Sequence, residues 1–328
     1  MSILPIFIPH AGCPHQCVFC NQKKISGQHS AALESAREQI ARWRTWLRPS
    51  IQHEAAFYGG SFTGLPLALQ QELLMLTDAL LAEGFIGSVR LSTRPDYIDV
   101  ERLELLRKHR VKLVELGVQS LDDAVLQAAE RGHTAAAVTQ AMTLLKQYSF
   151  HTGLQLMVGM PRQSFASVRE TAARAVALAP DIARIYPLLV IKDTPLAQTY
   201  ARGEFTPLIL EEAVTQSAWL YKTLTQAGIK VIRIGLQADE ELCEPGNIIA
   251  GPFHPAMGEL VKSRVLRDEL TPKLAAKAKM CQELVIKCPQ NLESKLRGQK
   301  SCNLHYWQQL LPGVQLIIER SAGEEIEL

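Results

Sequence analysis

No run of about 18 consecutive apolar residues occurs in the 328-residue chain, so no membrane-spanning helix is expected. Met1 to Pro9 is apolar but lacks a basic leader and a small-residue cleavage site. That argues against a secretory signal and for a cytoplasmic location. Net charge is only +2, which by itself neither calls for a polyanionic partner nor excludes one. Aromatics make up 6% of the chain while Ala and Leu are plentiful, a balance that leans toward helix-rich layers. There is no internal repeat and no low-complexity tract. The seven cysteines are an odd number, and three of them fall within eight residues. Such crowding suits metal ligation in a reducing compartment better than a disulfide framework.

What is present is a strand–helix rhythm. Apolar or β-branched runs at Ile3–Ile8, Glu54–Tyr58, Ser88–Ser92, Lys112–Gly117, Gly153–Val158, Ile182–Pro187 and Lys230–Gly235 read as strands. Helical periodicity fills the intervals, at Ala31–Leu47, Leu67–Glu83, Val100–His109, Asp122–Glu130, Ala135–Gln147, Phe165–Leu178 and Leu210–Ala227. Seven such units predict an α/β fold, an open or closed barrel of parallel strands with right-handed crossovers. Chemistry is then expected where strands end and loops begin. The rhythm stops near residue 240, where a Gly- and Pro-rich stretch begins. The expected division is a core over 1–240 and a small, mostly helical extension over 241–328 that ends in a short strand, Val314–Glu319.

The most specific local pattern is GCPHQCVFCNQ, which spaces Cys13, Cys17 and Cys20 as C-x-x-x-C-x-x-C directly after the first strand. Thiolates are soft anionic ligands that suit iron–sulfur clusters and zinc. Three on one loop can each hold one iron of a four-iron cluster and leave the fourth open. Zinc held by the three thiolates with His10 or His15 is the alternative. Cys243, Cys281, Cys288 and Cys302 are loosely spaced and read as ordinary thiols, an auxiliary cluster from the last three being the other reading.

With Phe19 before the third cysteine, this pattern resembles the signature of the radical S-adenosylmethionine (SAM) superfamily. The resemblance implies a partial (β/α) barrel of that type, a 4Fe-4S cluster on Cys13, Cys17 and Cys20, and SAM bound at the open iron. An electron from the cluster would cleave SAM to a deoxyadenosyl radical that abstracts hydrogen from substrate. Further motifs carry the likeness. YGGSFTG resembles the family's glycine motif and points to Gly59, Gly60 and Ser61 as SAM contacts. STRPDYI stands where relatives place an acid on the ribose; here Ser92 occupies that position and Thr93 is the candidate contact. ELGVQSLDDAVLQAAERGHT resembles a strand-and-helix motif shared by the coproporphyrinogen-oxidase-like and Elongator-catalytic-subunit-like branches. It assigns Gln119 to the SAM sugar and Arg131 to its carboxylate, with Ser120 capping the helix that follows. GLQLMVGMP puts Met157 near the adenine and Gln155 where relatives often have an acid. No catalytic side chain is named by these motifs.

IYPLLVIKDTPLAQTYARGEFTP and VIRIGLQ resemble the radical SAM half of the Elongator catalytic subunit, which modifies wobble uridines in tRNA. The likeness covers roughly residues 3 to 240. AGPFHPAMGELVKSR and SKLRGQKSCN resemble stand-alone bacterial relatives. Too little chain follows for an acetyltransferase domain, so acetyl-CoA-dependent chemistry is not expected of this chain alone. From Leu260 to Lys300 there are ten Lys or Arg against four acids, an excess that reads as a solvated face or as a phosphate-binding one. The expected function is radical cleavage of SAM to act on tRNA. A small-molecule or tetrapyrrole-like substrate and a non-enzymatic metal-binding accessory role are the alternatives. A flavodoxin- or ferredoxin-like electron donor is the partner the resemblance implies. His254, Glu259, Lys192 and Asp193 are candidates to face a substrate.

Overall fold

The computed structural model describes residues 2–8, 13, 15–21, 29–48, 52–236 and 244–328. His10, Gln237, Cys243 and the expected division at 240 lie outside them. Seven strands form one sheet: β1 (Ile3–Phe7), β2 (His53–Tyr58), β3 (Ile86–Thr93), β4 (Val111–Gln119), β5 (His151–Val158), β6 (Ile182–Pro187) and, beyond the short β7 (Val190–Ile191), β8 (Lys230–Ile234). They lie in that order, each parallel to its neighbour. Among the described residues β1 and β8 do not pair, so the expected barrel is a partial one.

Period-two alternation divides each strand between two faces. Leu4, Ile6, Phe57, Leu91, Leu116, Leu156 and Ile185 are at most 1% exposed and pack in the main apolar core. The concave face is polar, because its strands carry Glu54, Tyr58, Arg90, Ser92, Glu115, Gln155 and Arg184 at alternate positions. The β1 edge is closed locally by Gln39, from helix His29–Trp46. Its amide accepts from the Phe7 N–H at 2.7 Å and donates to the Phe7 carbonyl at 2.9 Å, as a neighbouring strand would.

The helices start where short polar side chains accept from orphan backbone N–H groups. Asp99, Thr134, Ser164 and Thr194 cap in this way. Ser120 does not fill the role expected of it. Asp122 caps helix Asp123–Ala128, while the Ser120 hydroxyl accepts from the Asp122 N–H and meets Thr171.

The extension is helical with more strand than its pattern announces. Helix Met257–Lys277 packs its first turns against Val214 and Ala218 of helix Leu210–Gln226 through Met257 and Val261. Its later residues Leu270 and Leu274 enter a second core around the fully buried Trp307. In that core β10 (Glu283–Pro289) and β11 (Gln315–Ser321) run parallel, joined through helices Gln290–Arg297 and Cys302–Leu310. β9 (Ile248–Ala250) lies antiparallel to β7 and brings the Gly- and Pro-rich stretch to the C-terminal ends of the sheet strands.

Candidate functional site

The cysteine loop is pinned from two sides. Val18 donates its N–H to the Ala129 carbonyl at 3.2 Å, and its carbonyl accepts from the Leu196 N–H at 2.8 Å. Asn21 donates to the Lys192 carbonyl at 3.0 Å. Phe19 and Met157 meet in a small apolar cluster with Val125, Ala129 and Met160, so the loop lies over the ends of β5 and β6.

Cys17 is 4% exposed, whereas Cys13 and Cys20 are partly open. Burial pushes the Cys13 thiol up, opposed by Arg94 and Arg131. Burial, then Cys17 and Cys13, pushes Cys20 up to about 11. Cys13 thus stands in the field of Cys17, and Cys20 in that of both. Among the described residues no three His, Cys, Asp or Glu side chains are closed into a metal-binding group.

Around the thiols the strand ends supply a polar shell. Arg131 Nη1 donates to Cys17 Sγ at 3.0 Å, and Nη2 donates to the Gly117 carbonyl. Its Nε is buried without a partner, as is Oε1 of Gln119. Gln119 ends β4 at φ +67°, a region that non-glycine residues seldom occupy. Arg94 engages both Asp96 oxygens and the Arg131 carbonyl. Burial, then Arg131 and Arg94, pulls His133 down to about 3, so it is neutral at physiological pH.

Gly59 and Gly60 follow β2, and Gly59 has φ +97° with the Phe7 ring 2.5 Å from where a Cβ would stand. Only glycine lets the chain pass there. Ser61 Oγ and Thr63 Oγ1 both meet Thr93 Oγ1, at 2.9 and 2.5 Å. The Thr93 hydroxyl is therefore engaged with the glycine loop, and it is Ser92 that faces the concave side. There Ser92 Oγ accepts from Gln155 Nε2 at 3.1 Å.

His15 was legible only as a rival metal ligand, yet its ring packs on Gly132. A Cβ at that glycine, which has φ +72°, would stand 2.4 Å from the ring. His15 Nε2 also lies 3.9 Å from Asp96 Oδ2. A Gly132→Ala variant should lose about 1–3 kcal/mol through backbone strain and the displaced ring. A lowered melting temperature would register it; an unchanged melting curve would refute it.

The other candidates scatter. His254 accepts from the Ala256 N–H through Nδ1 and meets Gln299 through Nε2, so the two distant motifs GPFHP and RGQKS touch. Cys288 is buried in the second core while Cys281 and Cys302 are exposed. The basic stretch is partly neutralised. Arg264 pairs with Glu211 and Asp268, Arg297 with Glu293, and Lys277 donates to the Leu328 carbonyl.

Sequence reasoning did not find the ion cluster under this shell. Glu115, 1% exposed, receives Arg90 at 2.9 Å and both Nε and Nη2 of Arg184. Arg90 also pairs with Glu54 at 3.1 Å. Burial opposes the charge on Arg184, and the hydrogen bonds to Glu115 more than restore it. The signal was a concave-facing charged residue inside each of four largely apolar strands.

A family model of the radical SAM superfamily matches residues 7–175, and one of the radical SAM C-terminal domain matches residues 180–267. The tRNA uridine(34) acetyltransferase of Methanocaldococcus jannaschii is 34% identical over 259 residues, which cover 65% of this chain and 47% of that protein. Its counterpart in Methanocaldococcus infernus is 26% identical over 302 residues, covering 80% of this chain and 55% of that one. The chain thus spans about half the length of these relatives. Among solved structures, the archaeal M. infernus Elp3 lacking residues 1–46 superposes with a TM-score of 0.62 at 22% identity, over 86% of this chain and 64% of that one. Coproporphyrinogen III oxidase from Escherichia coli does so with a TM-score of 0.51 at 20% identity, over 69% and 52%. At those identities the structures establish the shared fold alone.

Proposed function

The chain belongs to the radical SAM superfamily and is a radical SAM enzyme; from that premise we propose that Cys13, Cys17 and Cys20 hold a 4Fe-4S cluster and that the shell around them binds SAM. The observation that carries this is a buried pair of unsatisfied atoms, Arg131 Nε and Gln119 Oε1, beside a thiol that already takes a hydrogen bond from Arg131. A buried polar group without a partner costs about 1–3 kcal/mol, and a ligand bearing both a carboxylate and hydroxyls relieves both.

When bound, the cluster supplies one electron to the sulfonium cofactor, and the cofactor supplies the radical. The chain's own residues position and shield. Arg131 directs its free Nε at the carboxylate and fixes Cys17 through Nη1. Gln119 faces the sugar. Gly59 and Gly60 offer backbone groups to the amino end, and Ser61 is held by Thr93 at the turn. Phe19 and Met157 exclude water from the adenine side. A flavodoxin- or ferredoxin-like protein delivers the electron. Anaerobic, iron-loaded protein given dithionite and SAM should release deoxyadenosine. Protein that carries iron and cleaves no SAM would overturn the proposal.

We further propose tRNA as the substrate. Two relatives bear a tRNA uridine(34) name, and Lys262, Lys273, Lys279, Lys287, Lys295 and Lys300 on the extension are not consumed in the ion pairs described above. Phosphate binding by such a face should weaken about tenfold or more between 50 and 200 mM salt. Gel-shift titration with total tRNA measures this. Affinity that is absent, or indifferent to salt, would reject the RNA assignment in favour of a small-molecule substrate.

A further inference from the structure

The polar concave face carries a group that the cofactor reading does not use. Tyr58 ends β2 immediately before Gly59, and its side chain points away from the apolar core that receives Phe57. Its hydroxyl oxygen accepts from Arg90 Nη2 at 2.9 Å and from Arg184 Nη2 at 3.4 Å. The two guanidinium carbons also stand 5.8 Å each from the centre of its ring. Both arginines are fixed by Glu115, so this clamp does not depend on Tyr58.

A phenol oxygen has two lone pairs and one proton. Guanidinium groups donate and cannot accept, so two of them consume both lone pairs and leave the proton unplaced. No hydrogen-bond acceptor for it stands among the described residues. Tyr58 is half-buried, and beside it Arg90 Nε is buried without a partner. Above this floor the β4 position opposite Gln155 is Gly117, which has no side chain to block the concave face. The Gln155 amide instead spans to Ser92. Of this floor Arg90, Glu115 and Arg184 are buried, and Tyr58 is a half-exposed member that faces the concave side.

We infer that Tyr58 is a specificity-determining residue whose hydroxyl donates to an acceptor oxygen of the substrate. That oxygen belongs to a carbonyl, carboxylate or phosphate group. The inference rests on reading the concave face as the reaction chamber, and it needs no particular substrate to be tested.

The experiment is calorimetric titration of the iron-loaded protein with three probes: uridine for carbonyl oxygens, acetate for a carboxylate and inorganic phosphate. One of them should bind saturably, and which one names the source of the oxygen. In Tyr58→Phe, which keeps the ring between the guanidiniums, its affinity should fall about tenfold, the worth of one hydrogen bond. SAM affinity and melting temperature should not move. Replacing Tyr58 by 3-fluorotyrosine, a stronger donor of the same shape, should tighten the same probe and guards against a folding defect in the first variant. Equal affinity in all three proteins, or no saturable binding of any probe, would overturn the inference. Loss of the tRNA assignment would leave these outcomes untouched, because the probes require no RNA.

Discussion

Cys17→Ala protein, purified and reconstituted without oxygen, should be colourless, with iron falling from about four atoms per chain to near zero and no SAM cleavage. Cys17 is the most informative of the three positions. It is the buried one, and Arg131 is aimed at it. Removing its sulfur takes away one of the three proposed iron ligands and leaves a second Arg131 nitrogen, Nη1, without an acceptor beside the unpartnered Nε. Cys281→Ala is the control, since that thiol is exposed on the extension and bonded only to the Lys277 carbonyl. It should retain full colour and activity. Metal analysis and visible absorbance separate the two. Iron retained in the Cys17 variant, or zinc alone in the wild type, would defeat the cluster assignment.

Glu115→Ala should be the most damaging substitution to the fold among the ion pairs. It strands Arg90 and Arg184, each at most 10% exposed at the side chain, without their shared carboxylate. Breaking a buried pair from one side costs about 3–5 kcal/mol. For a chain of this size that lowers the melting temperature by roughly 5 °C. Glu204→Ala removes an equally short contact, 2.8 Å to Arg202, but both of those side chains are more than half exposed. Surface pairs contribute about 0–1 kcal/mol, so that variant should melt within a degree or two of the wild type. Thermal melts of the two variants decide the matter. Similar melting temperatures would mean that the concave cluster is solvated and is not a structural floor. The clamp on Tyr58 depends on the same carboxylate, so Glu115→Ala should also abolish the probe binding proposed for Tyr58.

The local order of this protein is written in its residues. All seven sheet strands and the helices between them except the short Pro195–Ala201 follow the switch between apolar runs and helical periodicity, because each element buries one side and that demand falls on near neighbours in the chain. The crowding of Cys13, Cys17 and Cys20 is equally local, since seven residues of loop cannot carry them far apart. β10 escaped notice because Leu284, Val285 and Ile286 form a short apolar run in a basic stretch, and it becomes a strand only when β11, some thirty residues later, lies beside it.

What the tertiary structure alone decided is who meets whom across the sheet. Glu54, Arg90, Glu115 and Arg184 come from four strands and look, one at a time, like interruptions. They become a single floor only when parallel register aligns them on the concave side. Thr93 turned to the glycine loop and Ser92 to the interior for the same reason, as alternation allows only one of two neighbours on each face. Charge in a sequence carries no direction. Pairing, burial and the unplaced proton of Tyr58 are properties of distances between strands, and those exist only once the barrel has folded.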